Sequence, residues 1–255
     1  HPYSLGAALT HPYITTDYSE ALLELITTPF SDSTQALRFL HHLHQFSYQH
    51  LDNELLWAAS MPCVIDGDKS VPIAYYGDSN SGKIKHIYRR GLGYRYGKVM
   101  QVISGIHFNY SLPDAFWPIF QQHEQDNSEL QSFRTQAYFG LVRNVRRFSW
   151  LLLYLFGASP AVCKSFLKNH NSSNLSEYDD HSYFLPYATS LRMSDIGYTN
   201  TRRCRMKVSY DDLANYTNGL QHAIHTICPP YQEIGVKVDD DYRQLNANIL
   251  QIENE

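Results

Sequence analysis

At 255 residues, 43% hydrophobic, 14% aromatic and 18% charged, the chain can bury a sizeable core and is neither a disordered tail nor a small disulfide-stapled scaffold. Its 21 Lys and Arg against 25 Asp and Glu leave a formal charge of -4, which offers no general field for gripping a polyanion and argues against a nucleic-acid partner. Four cysteines with no CxxC and no even spacing read as reduced thiols packed in a cytosolic protein, with no disulfide framework.

The chain opens at His1 with no charged segment leading into an apolar one, so no secretory signal is expected. Residues 20–27 alternate, with Glu20, Leu22, Glu24 and Ile26 on one side, which suits a strand, although so short a run also fits a helix. Asp32 followed by Gln35 resembles a capping box, and Phe39, Leu43 and Phe46 then recur at helical spacing, so a helix is predicted over 32–51. Asp66-Gly67-Asp68 marks a turn. Residues 88–101 read as helical despite Gly91, Gly93 and Gly97, each of which weakens a helix by roughly 1 kcal/mol and together imply close packing. Ile106, Phe108 and Tyr110 alternate with His107, Asn109 and Ser111, predicting a strand with an apolar row toward the core and a ligand-capable row opposite.

A long helix is predicted over 132–156, stopped by Gly157 and Pro160, and another over 210–226 before Pro229-Pro230. The apolar stretch 150–158 falls well short of the roughly 20 residues a bilayer span needs and reads as a buried helix end, so no membrane partner is expected. Residues 168–182 read as an exposed loop and 246–255 as a β-like segment. Strands separated by helices and long connections favour an α+β fold with an antiparallel sheet over a doubly wound parallel one.

Several motifs are weaker than they look. Gly77 to Lys83 has P-loop spacing, but Ile84 stands where that motif needs a hydroxyl for Mg2+; the segment reads as a turn whose amides are open to an anion. His41, His42 and His44 lack a convergent third ligand and read as surface or packing residues. Asn171 and Asn174 begin chance glycosylation sequons, and Cys63, Cys163, Cys204 and Cys228 have no nucleophile signature. Arg143, Arg146 and Arg147, and the group Arg202, Arg203 and Arg205, read as solvated charge, with anion contacts as the alternative. Asp17, Glu24 and His107 differ, since each lies on or beside a strand whose polar row is set against apolar neighbours.

The run Tyr76-Gly77-Asp78-Ser79-Asn80, Gly82, Lys85, Tyr88-Arg89, Gly91-Leu92, Arg95-Tyr96-Gly97, Met100-Gln101, Ile103-Ser104-Gly105, His107, Asn109 and Ser111 resembles the signature of the glutamate-cysteine ligase family, proteobacterial-type branch. Ala8 to His11, Ile14 to Asp17, Glu20 to Glu24, Ser60 to Cys63, Tyr154 to Ala161, Leu185 to Arg192, Gly197 to Asn200 and Leu250 to Glu255 match in the same order. The resemblance implies ATP-dependent joining of the γ-carboxylate of L-glutamate to the amine of L-cysteine through a γ-glutamyl phosphate, the first step of glutathione synthesis. It implies a curved antiparallel sheet like that of glutamine synthetase, flanked by helices, whose concave face is the active site.

By the same resemblance Asp17, Glu24 and His107 hold Mg2+, with Mn2+ as a possible substitute, and Arg192 binds an anionic group on glutamate or the transferring phosphate. Tyr18, Tyr88, Leu92, Gln101 and Tyr198 line the cysteine pocket, and Asn109 contacts the ATP phosphates. Tyr18 stands where the family commonly has Phe, and Phe108 with Tyr110 reverses its usual aromatic order. Family chains are about twice as long, so residues 1–255 are expected to be a partial catalytic domain, inactive in isolation, from a monomeric cytoplasmic enzyme. A related ligase with a different amine acceptor, or a non-catalytic binding fragment, is the alternative.

Overall fold

Local capping sets most of the helices in the computed structural model, which describes residues 5–62, 64–157, 159–167, 174–191, 204, 206 and 208–252. Asp32 caps α1 (Ser33–Gln49), its Oδ1 accepting from the Thr34 amide at 2.8 Å, as its place before the periodic run predicts. Ser79 caps α2 (Asn80–Tyr96) by accepting from the Gly82 amide at 3.1 Å. The segment with P-loop spacing is therefore a turn feeding a helix. Gly97, at φ +84°, ends α2 before the short α3 (Lys98–Gln101), splitting the helix expected over 88–101. Two helices follow, α4 (Phe116–His123) and α5 (Leu130–Phe156), then α6 (Leu213–His225) and α7 (Pro229–Ile234).

The strands form small antiparallel sheets. Strand β1 (Ile14–Thr16) pairs with β2 (Leu23–Leu25), so the run over 20–27 is a strand only in its centre. Strand β5 (Ser182–Phe184) lies between β3 (Ala161–Cys163) and β4 (Ser176–Glu177). Strands β6 (Lys237–Val238) and β7 (Asp241–Tyr242) form a hairpin whose loop residues Asp239 and Asp240 both have positive φ, the backbone of a two-residue turn. The mixed helix-and-sheet class is as expected. Among the described residues the strands stay in separate sheets of two or three and do not form one curved sheet.

The main core gathers Tyr18, Val71, Met100, Ile103, Val162, Phe166 and Leu191, and a smaller one packs Leu5 and Ile14 against Leu43 of α1. Three expectations fail on burial and pairing. Residues 106–111 form no strand: Ile106 is 97% and Phe108 82% exposed, because no described strand pairs with them to bury the apolar row. The end of α5 is not buried either, and Phe156 stands 77% exposed. Residues 246–252 contribute only an isolated bridge, Asn248 with Ile227, in place of a β segment.

Cys204 and Cys228 are joined by a disulfide with Cα atoms 6.0 Å apart, which corrects the reduced-thiol reading for that pair. Pairing is a matter of space, and a separation of 24 residues carried no signal of it. Cys163 is half-buried, with its Sγ 3.1 Å from Ser165 Oγ, and Cys63 lies outside the described residues. Arg143 is also not simply solvated, since its Nη1 donates to the Tyr210 and Asp211 carbonyls at 2.9 and 2.8 Å, while Arg146 lies 4.4 Å over the Tyr210 ring. The sequon residue Asn171 and Arg202, Arg203 and Arg205 lie outside the described residues. No described helix is long and apolar enough to cross a membrane.

One ion pair helps fasten the segment after α7 to α2. Both guanidinium Nη atoms of Arg90 donate to the two carboxylate oxygens of Asp241 at 2.5 Å, which holds the Asp241 carboxyl below its ordinary pKa and raises that of Arg90. A carboxyl lowered by folding contributes stability that is complete above its unfolded pKa of about 4 and is lost as pH falls through the lower folded value. Asp241→Asn should therefore lower the melting temperature at neutral pH, with the gap from wild type closing under strong acid. Thermal melts across that range check this, and a gap independent of pH contradicts it.

Candidate functional site

The β1–β2 hairpin carries two of the expected site residues. Glu24 pairs directly with Thr15 of β1, and Asp17 stands in the bend just past that strand. Ile14 and Thr16, on the face opposite Thr15, are buried. The Asp17 amide donates to the Leu22 carbonyl at 3.0 Å, closing the hairpin beyond its ladder.

Tyr76 and Arg89 fix the backbone at this end. The Tyr76 hydroxyl donates to the Thr16 carbonyl at 2.8 Å and accepts from Thr16 Oγ1 at 2.9 Å. Arg89 Nε donates to the Asp17 carbonyl at 2.5 Å, and its guanidinium lies 4.8 Å over the Tyr76 ring. One turn of backbone is thus tied both to the segment before α2 and to α2 itself. The Ala74 amide adds a bond to the Tyr18 carbonyl at 3.0 Å.

Tyr18 is 2% exposed, and its hydroxyl makes no hydrogen bond among the described residues. Burial pushes its pKa well up, Asp68 adds to the rise and Arg89 opposes it, so the phenol stays neutral. The hydroxyl lies against Gly93, where a Cβ would come within 2.5 Å of it. Leu92 packs on the core that contains Tyr18, and Met100 and Val102, which flank Gln101, belong to that core. Gln101 Nε2 is likewise buried without a partner. Asp68 Oδ1 accepts from the Lys98 and Val99 amides at 3.0 Å each, which anchors the start of α3 and with it Gln101. The structure therefore brings Tyr18 and Leu92 to one core, with Gln101 between two of its members in sequence and Tyr88 one turn of α2 before Leu92.

Other expected residues are not brought in. His107 and Asn109 lie in the exposed 105–111 segment, and among the described residues no three His, Cys, Asp or Glu side chains are grouped to hold a metal. Asp17 and Glu24 are an all-oxygen pair of the kind a hard divalent cation takes, so the donors fit in chemistry but are too few to complete a site. Arg192 and Tyr198 lie outside the described residues. A cleft of 390 Å3 beside the hairpin, walled by Leu22, Leu23, Trp57, Pro62, Val71 and Val102, has no charged lining and so does not suit an anionic nucleotide. The sequence assigns no site role to Tyr76, Asp68 or Arg89, although Tyr76 and Arg89 stand in the signature run and Asp68 in the turn at 66–68.

Similar folds and sequences place this arrangement among known proteins. A crystal structure of glutamate-cysteine ligase from Francisella tularensis in complex with AMP superposes with a TM-score of 0.89 at 40% identity, covering 99% of this chain and 49% of that one. A bifunctional glutathione synthetase from Pasteurella multocida gives 0.72 at 29% identity, over 89% of this chain and 27% of its own. The sequence model of the glutamate-cysteine ligase family matches residues 1–255, and the glutamate-cysteine ligase of Alcanivorax borkumensis is 55% identical over 100% of this chain and 49% of its own. That of Hahella chejuensis is 54% identical with the same coverage. The chain belongs to the glutamate-cysteine ligase family, and it spans about half the length of the curated relatives it matches.

The unpartnered Tyr18 hydroxyl has a direct consequence. Removing a buried polar group that has no partner relieves its desolvation cost, so Tyr18→Phe should stabilise the fold by about 1 kcal/mol. Chemical denaturation checks this, and a destabilised variant contradicts it.

Proposed function

We propose that this chain is the partial catalytic domain of a longer glutamate-cysteine ligase, which joins the γ-carboxylate of L-glutamate to the amine of L-cysteine at the expense of ATP. The observation that carries the reading is the family match over all of residues 1–255, at 55% identity to a relative of that name. The AMP bound by the Francisella tularensis relative supports a nucleotide site in the longer protein. The reading includes action by a single chain in the cytoplasm.

A carboxylate is a poor electrophile. In the proposed reaction a glutamate oxygen attacks the γ-phosphorus of ATP and ADP leaves, giving an acyl phosphate. The cysteine nitrogen then attacks the acyl carbon, phosphate departs and the amine loses its proton. The first step brings two anions together against their repulsion. Bound Mg2+, or Mn2+ in its place, supplies charge neutralisation there. Asp17 and Glu24 would hold the cation at the hairpin, and Tyr76 and Arg89 keep that hairpin end in place.

His107 and Asn109 join the site in this reading when the 106–111 segment is laid into a larger curved antiparallel sheet completed by the rest of the longer protein. The bare apolar row of Ile106 and Phe108 supports that placement, because alternation of this kind is stable when one face is covered. Arg192 would then clamp an anionic group through its fork of donors, and His107 would add a nitrogen donor to the two carboxylates. Tyr18, Tyr88, Leu92, Gln101 and Tyr198 would enclose cysteine, and the buried Tyr18 hydroxyl and Gln101 Nε2 offer hydrogen bonds that no described residue uses.

The test is ADP release by the full-length protein and by its Glu24→Gln variant. Wild type should require glutamate and a divalent cation, and cysteine for turnover to dipeptide. Glu24→Gln should raise the Mg2+ concentration for half-maximal rate at least several-fold while its melting temperature stays near wild type. Release indifferent to glutamate would defeat the ligase reading, and an unaltered Mg2+ requirement would remove Glu24 from it.

A further inference from the structure

Gln251 is 5% exposed, and its amide is engaged at both ends. The Leu245 amide donates to its Oε1 at 2.9 Å, and its Nε2 donates to the Tyr88 carbonyl at 2.9 Å. Within an α-helix that carbonyl already accepts from the amide four residues on, so Gln251 occupies its second acceptor site. The amide head fits there because position 91 is glycine: a Cβ at Gly91 would stand 2.7 Å from Nε2 and closer still to Oε1. On either side, Arg90 grips Asp241, and Arg95 donates to Gln244 Oε1 at 3.0 Å and to the Asn246 carbonyl at 2.7 Å. The segment 241–251 thus grasps α2 from Tyr88 to Arg95, and Gln251 is its contact nearest Tyr88 and Leu92.

We propose that Gln251 is a positioning residue for the amine-acceptor pocket. Seated over Gly91, it fixes the rotation of α2 about its own axis and so sets where Tyr88 and Leu92 stand. The proposal rests on the ligase reading, in which those two side chains face cysteine. Loss of Gln251 leaves Arg90 and Arg95 holding the helix, so the first effect falls on the pocket and the fold is kept.

The experiment uses the full-length protein and its Gln251→Leu, Gln251→Glu, Gly91→Ala and Gly91→Ala/Gln251→Ala variants. Gln251→Glu keeps the acceptor for Leu245 but cannot donate to the Tyr88 carbonyl. Each single variant should raise the KM for cysteine about tenfold, the equivalent of one net hydrogen bond, with the KM values for ATP and glutamate unchanged. The double variant removes the clash at position 91, so it should recover the melting temperature lost in Gly91→Ala without recovering the cysteine KM. Amide hydrogen exchange over 88–92 should quicken in Gln251→Leu, a readout that needs no activity.

A cysteine KM equal to wild type in Gln251→Glu, or equal rises in all three KM values, would overturn the positioning role. Unchanged exchange over 88–92 would do the same. A wild type that releases ADP without glutamate would defeat the ligase reading instead, and the exchange measurement would then still decide what Gln251 does to α2.

Discussion

The carbonyls of Thr16 and Asp17 are where the hairpin meets α2, and the rest of the candidate site hangs on that junction. A free carbonyl at a strand end costs little in water, but here each receives a donor from a side chain that is itself held elsewhere: Tyr76 from the segment leading into α2, and Arg89 from α2. The Arg89 guanidinium lies over the Tyr76 ring, so the two donors also fix each other. The result ties Asp17, Tyr18 and α2 into one unit through side-chain to backbone bonds, which resist rotation better than apolar contact alone.

That unit explains the glycines of α2. A helix with Gly91, Gly93 and Gly97 gives up intrinsic stability at each, and the structure spends those positions on close approach and termination. Gly91 admits the Gln251 amide, Gly93 admits the Tyr18 hydroxyl, and Gly97 turns the chain into α3. The two buried side chains that approach α2 come from opposite ends of the chain, so the helix acts as the shared wall between the hairpin and the 241–251 segment. Among the described residues the buried Tyr18 hydroxyl and Gln101 Nε2 have no partners, an arrangement that costs stability and is more easily understood at a binding surface than in a plain core.

What was legible in the sequence follows the range of each interaction. The helix start at Asp32 depends on bonds within three residues, and α1, α5 and α6 stand close to where periodicity puts them, whereas α2 begins at Asn80, ahead of the expected start at Tyr88. The close packing implied by the α2 glycines was also legible, though its partners were not. Strand pairing is non-local: 106–111 has faultless alternation, yet with no described neighbour it remains an exposed segment. The same limit hid the Cys204–Cys228 bond and the exposure of Phe156. For the site, residue types and order carried the family, while the clamps by Tyr76, Arg89 and Gln251 are spatial facts that no spacing announces.

The junction at Thr16 and Asp17 is tested most directly by Tyr76→Phe in the full-length protein, which keeps the ring under Arg89 and deletes the one hydroxyl that bonds Thr16. The measurement is the Mg2+ concentration at half-maximal ADP release, compared with wild type. If this junction sets the Asp17 carboxylate for a cation, the variant needs several-fold more Mg2+; an identical Mg2+ curve in a folded variant contradicts the account.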